Sequence, residues 1–500
     1  MTALVAGAPS TDAQRWKQIN WSEIRANVYR LQVRIAKAVR EGRWGKVKAL
    51  QYILSCSYGA KLLAIKWVVS SKGSRTPGVD GVKWRTSAQR WRAALSLSRR
   101  GYRAQPLRRV LIPKKNGQQR PLGIPTLHDR AMQALYALGL KPIAETTADS
   151  HSYGFREKRS LHDAIKQCFI SLATKVAAPW VYEADIKACF DRIDHEWMLE
   201  NIPLPKEILR QWLKSGYMLS AEFFETDSGT PQGGIISPLL CNMALDGLQN
   251  VVIKGRNKKR RKLNVIRYAD DFIITGASPE ILLEEIKPDV EKFLAERGLE
   301  LSAEKTKLSA IEEGFDFLGF NIRKYKQKLL IKPVKSKAGE LRQKVKSLLE
   351  RLRGVSFHVM LIKLNQVLRG WAYAHRHVVS KKLFSRLDND IFKLVCKWLR
   401  KAYRSKTWAW ISKTHRKRFN GRWQFGKVIV TEKGIVKTVC LFRLSDLPIR
   451  YHNKIRSAAT PYDPEFWGYF RERELWHQKM ARKDRAFLAA SSFDKLAVWR

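Results

Sequence analysis

The most constraining feature of the sequence is an apolar segment, residues 265–275, that carries two acidic residues at its centre, Asp270 and Asp271. Strand-forming residues flank the pair on both sides, which predicts a β-hairpin with both carboxylates at its tight turn. A second apolar segment, residues 180–184, is followed directly by Asp185. Neither acidic position requires a functional role, because Asp is common in tight turns and Asp185 could simply be the N-cap of a helix.

Acidic residues at the ends of apolar strands are costly unless a cation neutralises them. Magnesium prefers oxygen ligands and binds through one or two carboxylates together with substrate phosphates. Two such ions about 4 Å apart can activate a primer 3′-hydroxyl and stabilise a leaving pyrophosphate. Asp185, Asp270 and Asp271 therefore predict a cage for two Mg²⁺ ions.

The charge of the chain points to an anionic partner, because 95 Lys and Arg residues face 45 Asp and Glu residues, a net charge of +50. Nucleic acid is the usual partner for such a surplus, and an anionic membrane is the rival. The longest apolar stretch, residues 52–71, is interrupted by Lys61 and Lys66, so it predicts an amphipathic helix packed on a core. We therefore expect no membrane association.

The six cysteines lie far apart and form no C-x-x-C pair, which favours neither a zinc site nor a disulfide framework. The first ten residues do not resemble a signal peptide. Together these features predict a protein of a reducing compartment such as the cytoplasm.

Helix-type periodicity and β-type runs divide the chain into regions. Helices are predicted over residues 21–41 and 44–71, and a Gly/Pro turn follows at residues 76–81. Alternating strands and helices reach to about residue 323, and an apolar stripe predicts helices over residues 338–403. Short β-like runs follow at residues 427–431 and 435–441. The basic run at residues 256–262 is either a solvated loop or a phosphate contact.

Basic residues dominate the C-terminal part, since only Glu340, Glu350, Asp388 and Asp390 are acidic within residues 324–430. Tryptophans and tyrosines are interleaved there. Basic side chains neutralise phosphates and aromatic faces stack on bases, although the same aromatics could be core anchors of a helical bundle. The candidate RNA- or DNA-contacting residues are Arg369, Trp371, Tyr373, Arg376, Lys381, Lys382, Trp408, Arg416, Lys417 and Arg418.

Eight short blocks follow one another along residues 76–320. They are Thr76-Pro-Gly-Val-Asp-Gly81, residues 109–125 with Lys114 and Arg120, Ser152-Tyr-Gly-Phe-Arg156, Ala184-Asp-Ile-Lys-Ala-Cys-Phe-Asp191, Gly229-Thr-Pro-Gln-Gly-Gly234, Tyr268-Ala-Asp-Asp271, residues 298–306, and Phe317-Leu-Gly-Phe320. In this order and at these spacings the chain resembles the reverse transcriptase/maturase proteins encoded by bacterial group II introns. The resemblance extends from about residue 21 to about residue 470.

The resemblance implies an α+β fold, a right-hand polymerase whose fingers and palm combine an antiparallel sheet with helices, followed by a helical thumb and a small basic DNA-binding region. It implies an N-terminal helical extension at residues 1–85, fingers and palm at 86–323, and a thumb, or maturase X domain, at 324–405. A DNA-binding region follows at 406–475 and a tail at 476–500. Many relatives continue into an H-N-H endonuclease with paired cysteines, and no such cysteines occur here, so second-strand cleavage by this chain is not expected.

The resemblance also assigns roles to individual residues. Asp185, Asp270 and Asp271 match the metal ligands, with the carbonyl of Ile186 as an additional oxygen. Lys305 matches a general acid for the pyrophosphate, and a surface lysine after a strand is its plain alternative.

The remaining assignments concern the incoming nucleotide. Lys114 and Arg120 match residues that clamp the triphosphate, for which a guanidinium is suited because it binds phosphate through two donors. Phe190 matches the aromatic gate that would clash with a ribose 2′-hydroxyl, and Gln232 matches a contact in the nucleotide pocket. Asp191 is interpreted as a neighbour of the site and not as a ligand.

The implied function is that of an RNA-directed DNA polymerase that is also a maturase, used in splicing and intron mobility. Its implied partners are its own intron RNA, an RNA template with a DNA primer or target, deoxynucleoside triphosphates and two Mg²⁺ ions. The protein would act as a monomer or a dimer. The alternative is a splicing-only RNA-binding protein with a vestigial polymerase. Loss of the carboxylates would be its signature, and all three are present.

Overall fold

The computed structural model describes residues 11–113, 117, 119–219, 222–231, 233–419, 422–430 and 436–492. Lys114 and Gln232 therefore lie outside the described residues. The chain forms two compact units, of which unit 1 comprises Met1–Ser171, Ala177–Ser309 and Ile455–Trp467, and unit 2 comprises Leu172–Val176, Ala310–Lys454 and Gly468–Arg500.

Unit 1 begins with helices that pack on one apolar core. Thr11, Asn20 and Thr86 cap three of them with side-chain oxygens, as N-cap residues do. The helices are α1 (Asp12–Lys17), α2 (Trp21–Arg40), α3 (Trp44–Cys56), α4 (Tyr58–Ser70) and α5 (Ser87–Ser96).

The single helix expected over residues 44–71 is wrong, because α3 and α4 are separate helices bent by 70°. Ser57 joins them in an extended conformation, with φ −61° and ψ 126°. Gly59 follows two residues later, but a single Gly within an apolar run is compatible with a continuous helix, so the periodicity did not reveal the break. The amphipathic character expected for residues 52–71 is also wrong for α4, which packs against α2 and α5 and against the helix Leu127–Thr147 and is therefore apolar on several faces.

Across the described residues, no helix alone has the length and apolarity needed to cross a bilayer; only the bent pair α3 and α4, taken together, meets those two criteria.

The rest of unit 1 contains two four-stranded sheets and their covering helices. In chain order the elements are β1 (Leu107–Pro113), β2 (Gln119–Ile124), α6 (Leu127–Thr147), α7 (Leu161–Leu172), β3 (Trp180–Asp185), α8 (Cys189–Arg192), α9 (His195–Asn201), α10 (Lys206–Leu213), β4 (Tyr217–Leu219), β5 (Glu222–Phe224), α11 (Ser237–Leu245), α12 (Leu248–Ile253), α13 (Lys258–Arg261), β6 (Asn264–Tyr268), β7 (Asp271–Gly276), a π-helix (Ile281–Ile286), α14 (Lys287–Ala295) and β8 (Lys307–Ala310).

The first sheet has the strand order β2-β1-β4-β5, and the second has the order β6-β7-β3-β8. Pairing is antiparallel between β6 and β7 and between β3 and β7, whereas β1 and β4 run parallel. Val265 of β6 and Phe272 and Ile274 of β7 are buried in the core that also holds the N-terminal helices. The second sheet is thus a fixed platform whose strand ends reach solvent.

Unit 2 combines a small sheet, a bundle of long helices and a second small sheet. Its elements are β9 (Phe315–Phe317), β10 (Phe320–Tyr325), β11 (Lys328–Pro333), α15 (Lys335–Arg351), α16 (Phe357–His375), α17 (Lys381–Ala402), α18 (Trp408–His415), β12 (Arg416–Phe419), β13 (Arg422–Val430), β14 (Val436–Cys440) and α19 (Trp467–Ser492). The stripe predicted for the first helix is present, because Leu341, Val345 and Leu349 are buried against α16 and α17. The α+β class and the helical bundle after the sheet region are therefore confirmed.

Residues 455–467 belong to unit 1, although they were placed in the predicted region 406–475. The backbone N–H of Ile455 donates to the Asp163 carboxylate at 2.7 Å, and the Tyr462 hydroxyl donates to the Glu157 carboxylate at 2.8 Å. The other domain boundaries stay predictions.

Candidate active site

Three aspartates meet at one end of the second sheet. Asp271 opens β7 and is paired in register with Asp185, the last residue of β3. It also pairs with Tyr268, the last residue of β6, so Ala269 and Asp270 form the two-residue turn predicted from the sequence. Ala269 has a φ of 58°, the left-handed conformation that such tight hairpin turns require.

The surroundings make these carboxylates unfavourable as free anions. Burial raises the pKa of Asp270, and the nearby Asp185 charge adds to the effect. Burial, hydrogen bonding to Asp185 and the Asp270 charge together raise the pKa of Asp271 to about 7. Crowded, partly dehydrated carboxylates of this kind are relieved by a cation. The donor set therefore fits a divalent metal that prefers oxygen ligands.

A lysine ammonium lies next to these carboxylates. Lys305 Nζ donates a hydrogen bond to the Asp185 carboxylate at 2.6 Å, and this bond raises the pKa of Lys305. Within the described ranges, no three His, Cys, Asp or Glu side chains are arranged so that they could hold a metal ion as they stand. The arrangement is a cluster of three acids with one ammonium bonded to Asp185.

Backbone pairing places Lys305 beside β3. Ser302 N–H donates to the carbonyl of Asp185 at 2.8 Å, and Lys187 N–H donates to the carbonyl of Glu300 at 3.0 Å. Ile186 is buried and forms a bridge with Leu301 within this pairing. The loop before β8 is thus held as an extra strand along residues 185–187, and the Lys305 side chain stays 66% exposed.

Phe190 lies on α8, directly after the Asp185 segment, and its ring meets the ring of Phe155 edge-on with centroids 6.4 Å apart. Phe155 is 57% exposed and has a φ of 57°, which is unusual for an aromatic residue. Arg120 is exposed on β2, and its charge partly offsets the rise in the pKa of Asp270, so it lies within electrostatic reach of the acids. Phe155 was recognised as part of a motif, but no role was assigned to it.

The glycine-rich turn at residues 229–234 is held against α8 by hydrogen bonds. Gly229 N–H donates to the carbonyl of Ile193 at 2.8 Å, and Thr230 N–H donates to the carbonyl of Phe190. The buried His195 ring bonds the Gly229 carbonyl through Nε2 at 2.8 Å. His195 was missed by sequence reasoning, since a lone histidine at the start of a helix gives no signal of this contact.

Two glycines allow the turn to approach its neighbours closely. A Cβ at Gly229 would lie 2.5 Å from the backbone of Asp191, and one at Gly233 would lie 2.2 Å from the carbonyl oxygen of Gly123 on β2. A side chain at position 229 would therefore push the turn away from α8, and one at position 233 would push it away from β2. The turn and α8, which carries Phe190, therefore pack closely together.

A buried polar layer supports the aspartate turn from behind. Tyr153 N–H donates to the carbonyl of Arg267 at 2.9 Å, and a Cβ at Gly154 would lie 2.4 Å from the backbone nitrogen of Ala269. The fully buried Arg267 forms an ion pair with Asp246, whose pKa burial raises to about 6. Sequence reasoning missed this pair, because neither residue stands in a distinctive pattern.

Several candidate nucleic-acid contacts in unit 2 have partners within the protein. Arg376 donates two hydrogen bonds to the Asp484 carboxylate, at 3.0 and 2.7 Å. Lys381 Nζ donates to the carbonyls of Ser445 and Leu447, at 2.6 and 2.8 Å. Both side chains therefore tie α16 and α17 to other parts of the unit.

The aromatic candidates are half-buried. Trp371 stacks on His375 with centroids 4.2 Å apart, and the guanidinium of Arg376 lies 4.5 Å from the ring of Tyr373. Trp408 packs on the bundle core with Arg400 5.0 Å from its ring.

The basic candidates divide into two groups. Arg369 lies 5.7 Å from the ring of Phe442 and Arg416 lies 5.8 Å from the ring of Phe392. Lys382, Lys417 and Arg418 are exposed.

Three family models match the chain. The N-terminal domain of reverse transcriptase matches residues 16–97, the reverse transcriptase (RNA-dependent DNA polymerase) model matches residues 112–322, and the group II intron maturase-specific domain matches residues 339–419.

Curated relatives agree with these matches. The chain is 33% identical to Protein YkfC of Escherichia coli K12 over 303 residues, which cover 52% of this chain and 79% of that protein. It is 30% identical to the group II intron-encoded protein LtrA of Lactococcus lactis subsp. cremoris over 328 residues, 52% of this chain and 54% of LtrA.

Among solved structures, the chain aligns with telomerase from Candida albicans in complex with a fragment of telomeric RNA, over 62% of this chain and 61% of that one. The TM-score is 0.34 and the identity 12%, so this likeness carries no weight in the assignment. The three domain models in their order and the two relatives are what decide the assignment: the chain belongs to the family of reverse transcriptase/maturases encoded by group II introns.

Proposed function

We propose that this chain is an RNA-directed DNA polymerase that copies RNA into DNA by two-metal nucleotidyl transfer. As a maturase, it also binds its own group II intron RNA to assist splicing and intron mobility. The observation that carries the proposal is the register of β3 with β7, which sets Asp185 opposite Asp271 beside Asp270. The raised pKa values of Asp270 and Asp271 support it, because they indicate acids that a divalent cation would stabilise.

Asp185, Asp270 and Asp271, with the carbonyl of Ile186, would hold two Mg²⁺ ions. Bound there, the ions supply activation of the primer 3′-hydroxyl and neutralisation of charge on the leaving pyrophosphate. Lys305, which bonds Asp185, would give a proton to the pyrophosphate.

The incoming deoxynucleotide would be held by residues around α8 and β2. Arg120 offers paired donors for its phosphates, and Lys114 is proposed as a second cation for them. The ring of Phe190, held edge-on to Phe155, would exclude a 2′-hydroxyl. Gln232 is proposed as a further contact in the nucleotide pocket.

The partners follow from charge and from the family. A net charge of +50 favours polyanions, and the maturase-specific match favours intron RNA as one of them. An RNA template and a DNA primer or target are the others. Lys382, Lys417 and Arg418 are the exposed candidates for these contacts.

Primer extension on an RNA template tests the proposal. The purified chain, with a DNA primer and four deoxynucleoside triphosphates, is expected to make full-length cDNA with Mg²⁺ and none with excess chelator. A protein that binds intron RNA and promotes splicing but never extends the primer would contradict the polymerase and leave the maturase.

Phe190→Ala is expected to relax sugar selection, because it removes the ring that would clash with a ribose 2′-hydroxyl. Discrimination between a deoxynucleotide and its ribonucleotide, measured as the ratio of kcat/KM values, should fall by about tenfold or more. Phe190→Tyr keeps the ring and is the matched control, expected to stay near the wild-type ratio. An alanine variant that discriminates as well as the wild type would remove the gate assignment.

The raised pKa of Asp271 predicts how pH and Mg²⁺ affect stability. Because the folded state holds this proton up to about pH 7 and the unfolded state releases it near pH 4, the free energy of unfolding should fall as pH rises through that window. At pH 8 without Mg²⁺, Asp271→Asn should therefore melt higher than the wild type, by about 1–2 °C for an effect near 1 kcal/mol at a solvent-accessible site in a unit of this size.

Adding Mg²⁺ at pH 8 should raise the melting temperature of the wild type and have little effect on Asp271→Asn. Differential scanning fluorimetry between pH 5 and pH 8 measures both effects. Glu304→Gln, which neutralises an exposed acid of the Lys305 loop, is the control and should behave as the wild type. Identical pH profiles for the wild type and Asp271→Asn would contradict the prediction.

A further inference from the structure

A cleft in unit 2 lies between the C-terminal parts of α15 and α17 and has a volume of about 320 Å³. Five basic residues surround it, namely Lys346, Arg353, Lys397, Lys401 and Arg404, and all five are exposed. Glu350 is the one acidic residue among those that line it. We call it the α15–α17 cleft.

The positive charge of this cleft is not balanced by the protein. In the part of the chain that the structure describes, none of the five basic side chains forms an ion pair. Two helix C-termini contribute about half a negative charge each, so with Glu350 they offset about two of the five positive charges. The remaining surplus, gathered around one small cavity, is self-repulsive unless an anion lies there.

The floor of the cleft is apolar, which specifies the anion further. Leu349 and Trp398 are buried beneath it, and Leu394 is half-buried at its side. A simple inorganic anion makes no use of such a floor. A nucleotide does, because its base is flat and apolar on its faces while its phosphates are charged.

The size of the cleft separates single-stranded from paired nucleic acid. A volume near 300 Å³ is at the lower end of small-ligand pockets, so it accepts one unstacked base and excludes a duplex. We infer that the α15–α17 cleft binds one unpaired nucleotide of an RNA chain, with its base on the apolar floor and its flanking phosphates on the basic rim. This inference rests on the proposed RNA-binding function and gives it a specific site.

Charge-neutralising variants test the rim. Lys397→Gln/Lys401→Gln in the full chain should weaken binding of a fluorescein-labelled single-stranded RNA by about tenfold near 0.1 M salt. It should also make the slope of log K against log[salt] shallower by about 1.4, since each lost phosphate contact to a single strand accounts for about 0.7. Lys344→Gln/Lys393→Gln removes two exposed lysines of the same helices outside the cleft and should change affinity less than twofold. Equal losses for the two pairs would overturn the inference.

Crosslinking tests the floor. A single-stranded RNA carrying 4-thiouridine, irradiated on the wild-type protein and mapped by mass spectrometry, should yield adducts in the peptides around Leu349 and Trp398. Leu394→Trp fills the cleft without altering its charge, so it should lose these adducts while keeping the wild-type salt slope. Adducts that persist in Leu394→Trp, or that are absent from the cleft in the wild type, would overturn the inference.

The two proposals fail in different ways. If the wild type extends a primer, but Lys397→Gln/Lys401→Gln and Lys344→Gln/Lys393→Gln lose RNA affinity equally, the polymerase proposal stands and the cleft proposal fails. If the wild type crosslinks to RNA at the cleft but never extends a primer, the cleft proposal stands and the polymerase proposal fails.

Discussion

Asp270→Ala is expected to abolish cDNA synthesis, lowering kcat by about 10³-fold or more. The residue lies at the turn between β6 and β7 and is electrostatically coupled to Asp185, so its removal takes one anion from the proposed metal cage. Bound metal ions contribute several kcal/mol to such transition states, and each 1.36 kcal/mol corresponds to about a factor of ten in rate. Single-nucleotide extension on an RNA template, followed under single-turnover conditions, measures the loss.

RNA binding and splicing assistance should survive in the Asp270→Ala protein, because the basic and aromatic surfaces of unit 2 do not include this turn. Glu304→Gln is the matched control, since it removes an exposed acid near the site without touching the aspartate turn. Undiminished extension by Asp270→Ala would remove the assigned site. If Asp270→Ala lost both RNA binding and primer extension, misfolding would be the explanation, and a melting curve of the same preparation identifies it.

Lys305→Ala is expected to lower kcat by about 10²-fold or more, the range of general acid catalysis. Its ammonium lies 2.6 Å from the Asp185 carboxylate, and this bond raises its pKa, so the lysine stays protonated at neutral pH and has a proton to give. The plain alternative is a surface ion pair. Since exposed ion pairs contribute roughly 0–1 kcal/mol, that role would cost about fivefold at most.

Lys305→Arg separates these roles. Arginine keeps the positive charge and the contact with Asp185, but it does not release a proton in proteins. If Lys305 is a general acid, the arginine variant should lose nearly as much as the alanine variant, and it should lack the fall in rate that the wild type shows as the lysine deprotonates at high pH. An arginine variant as fast as the wild type would reduce Lys305 to a charge partner of Asp185.

The local part of the site could be predicted from the sequence. The apolar flanks of Asp270 and Asp271 predicted the hairpin, and an apolar run ending in Asp185 predicted a strand end; both are present. That these strand ends meet was a hypothesis from the chemistry of the acids and from the family resemblance, whereas the register that pairs Asp185 with Asp271 was not predicted. Strand register between segments about 85 residues apart depends on the whole fold and leaves no local pattern.

The contacts that sequence reasoning missed are also long-range. Arg376 was a candidate for nucleic acid, yet its guanidinium is held by Asp484, which is 108 residues away. His195 bonds the glycine-rich turn, 34 residues away, through one buried nitrogen. The break at Ser57 was missed for a local reason, since a serine between two apolar helices resembles any other helical position. Composition and periodicity report which residues are buried, but they do not report which partners they meet.

The most direct test of the account is to count the divalent ions at the three aspartates. Mn²⁺ replaces Mg²⁺ in this test because electron paramagnetic resonance distinguishes its free and bound forms. The full chain is loaded with an RNA template, a chain-terminated DNA primer and the matching deoxynucleoside triphosphate. The wild type should bind two Mn²⁺ ions more than a parallel sample of the Asp185→Asn/Asp270→Asn double variant. Equal Mn²⁺ binding by the two proteins would contradict the claim that these acids hold the ions.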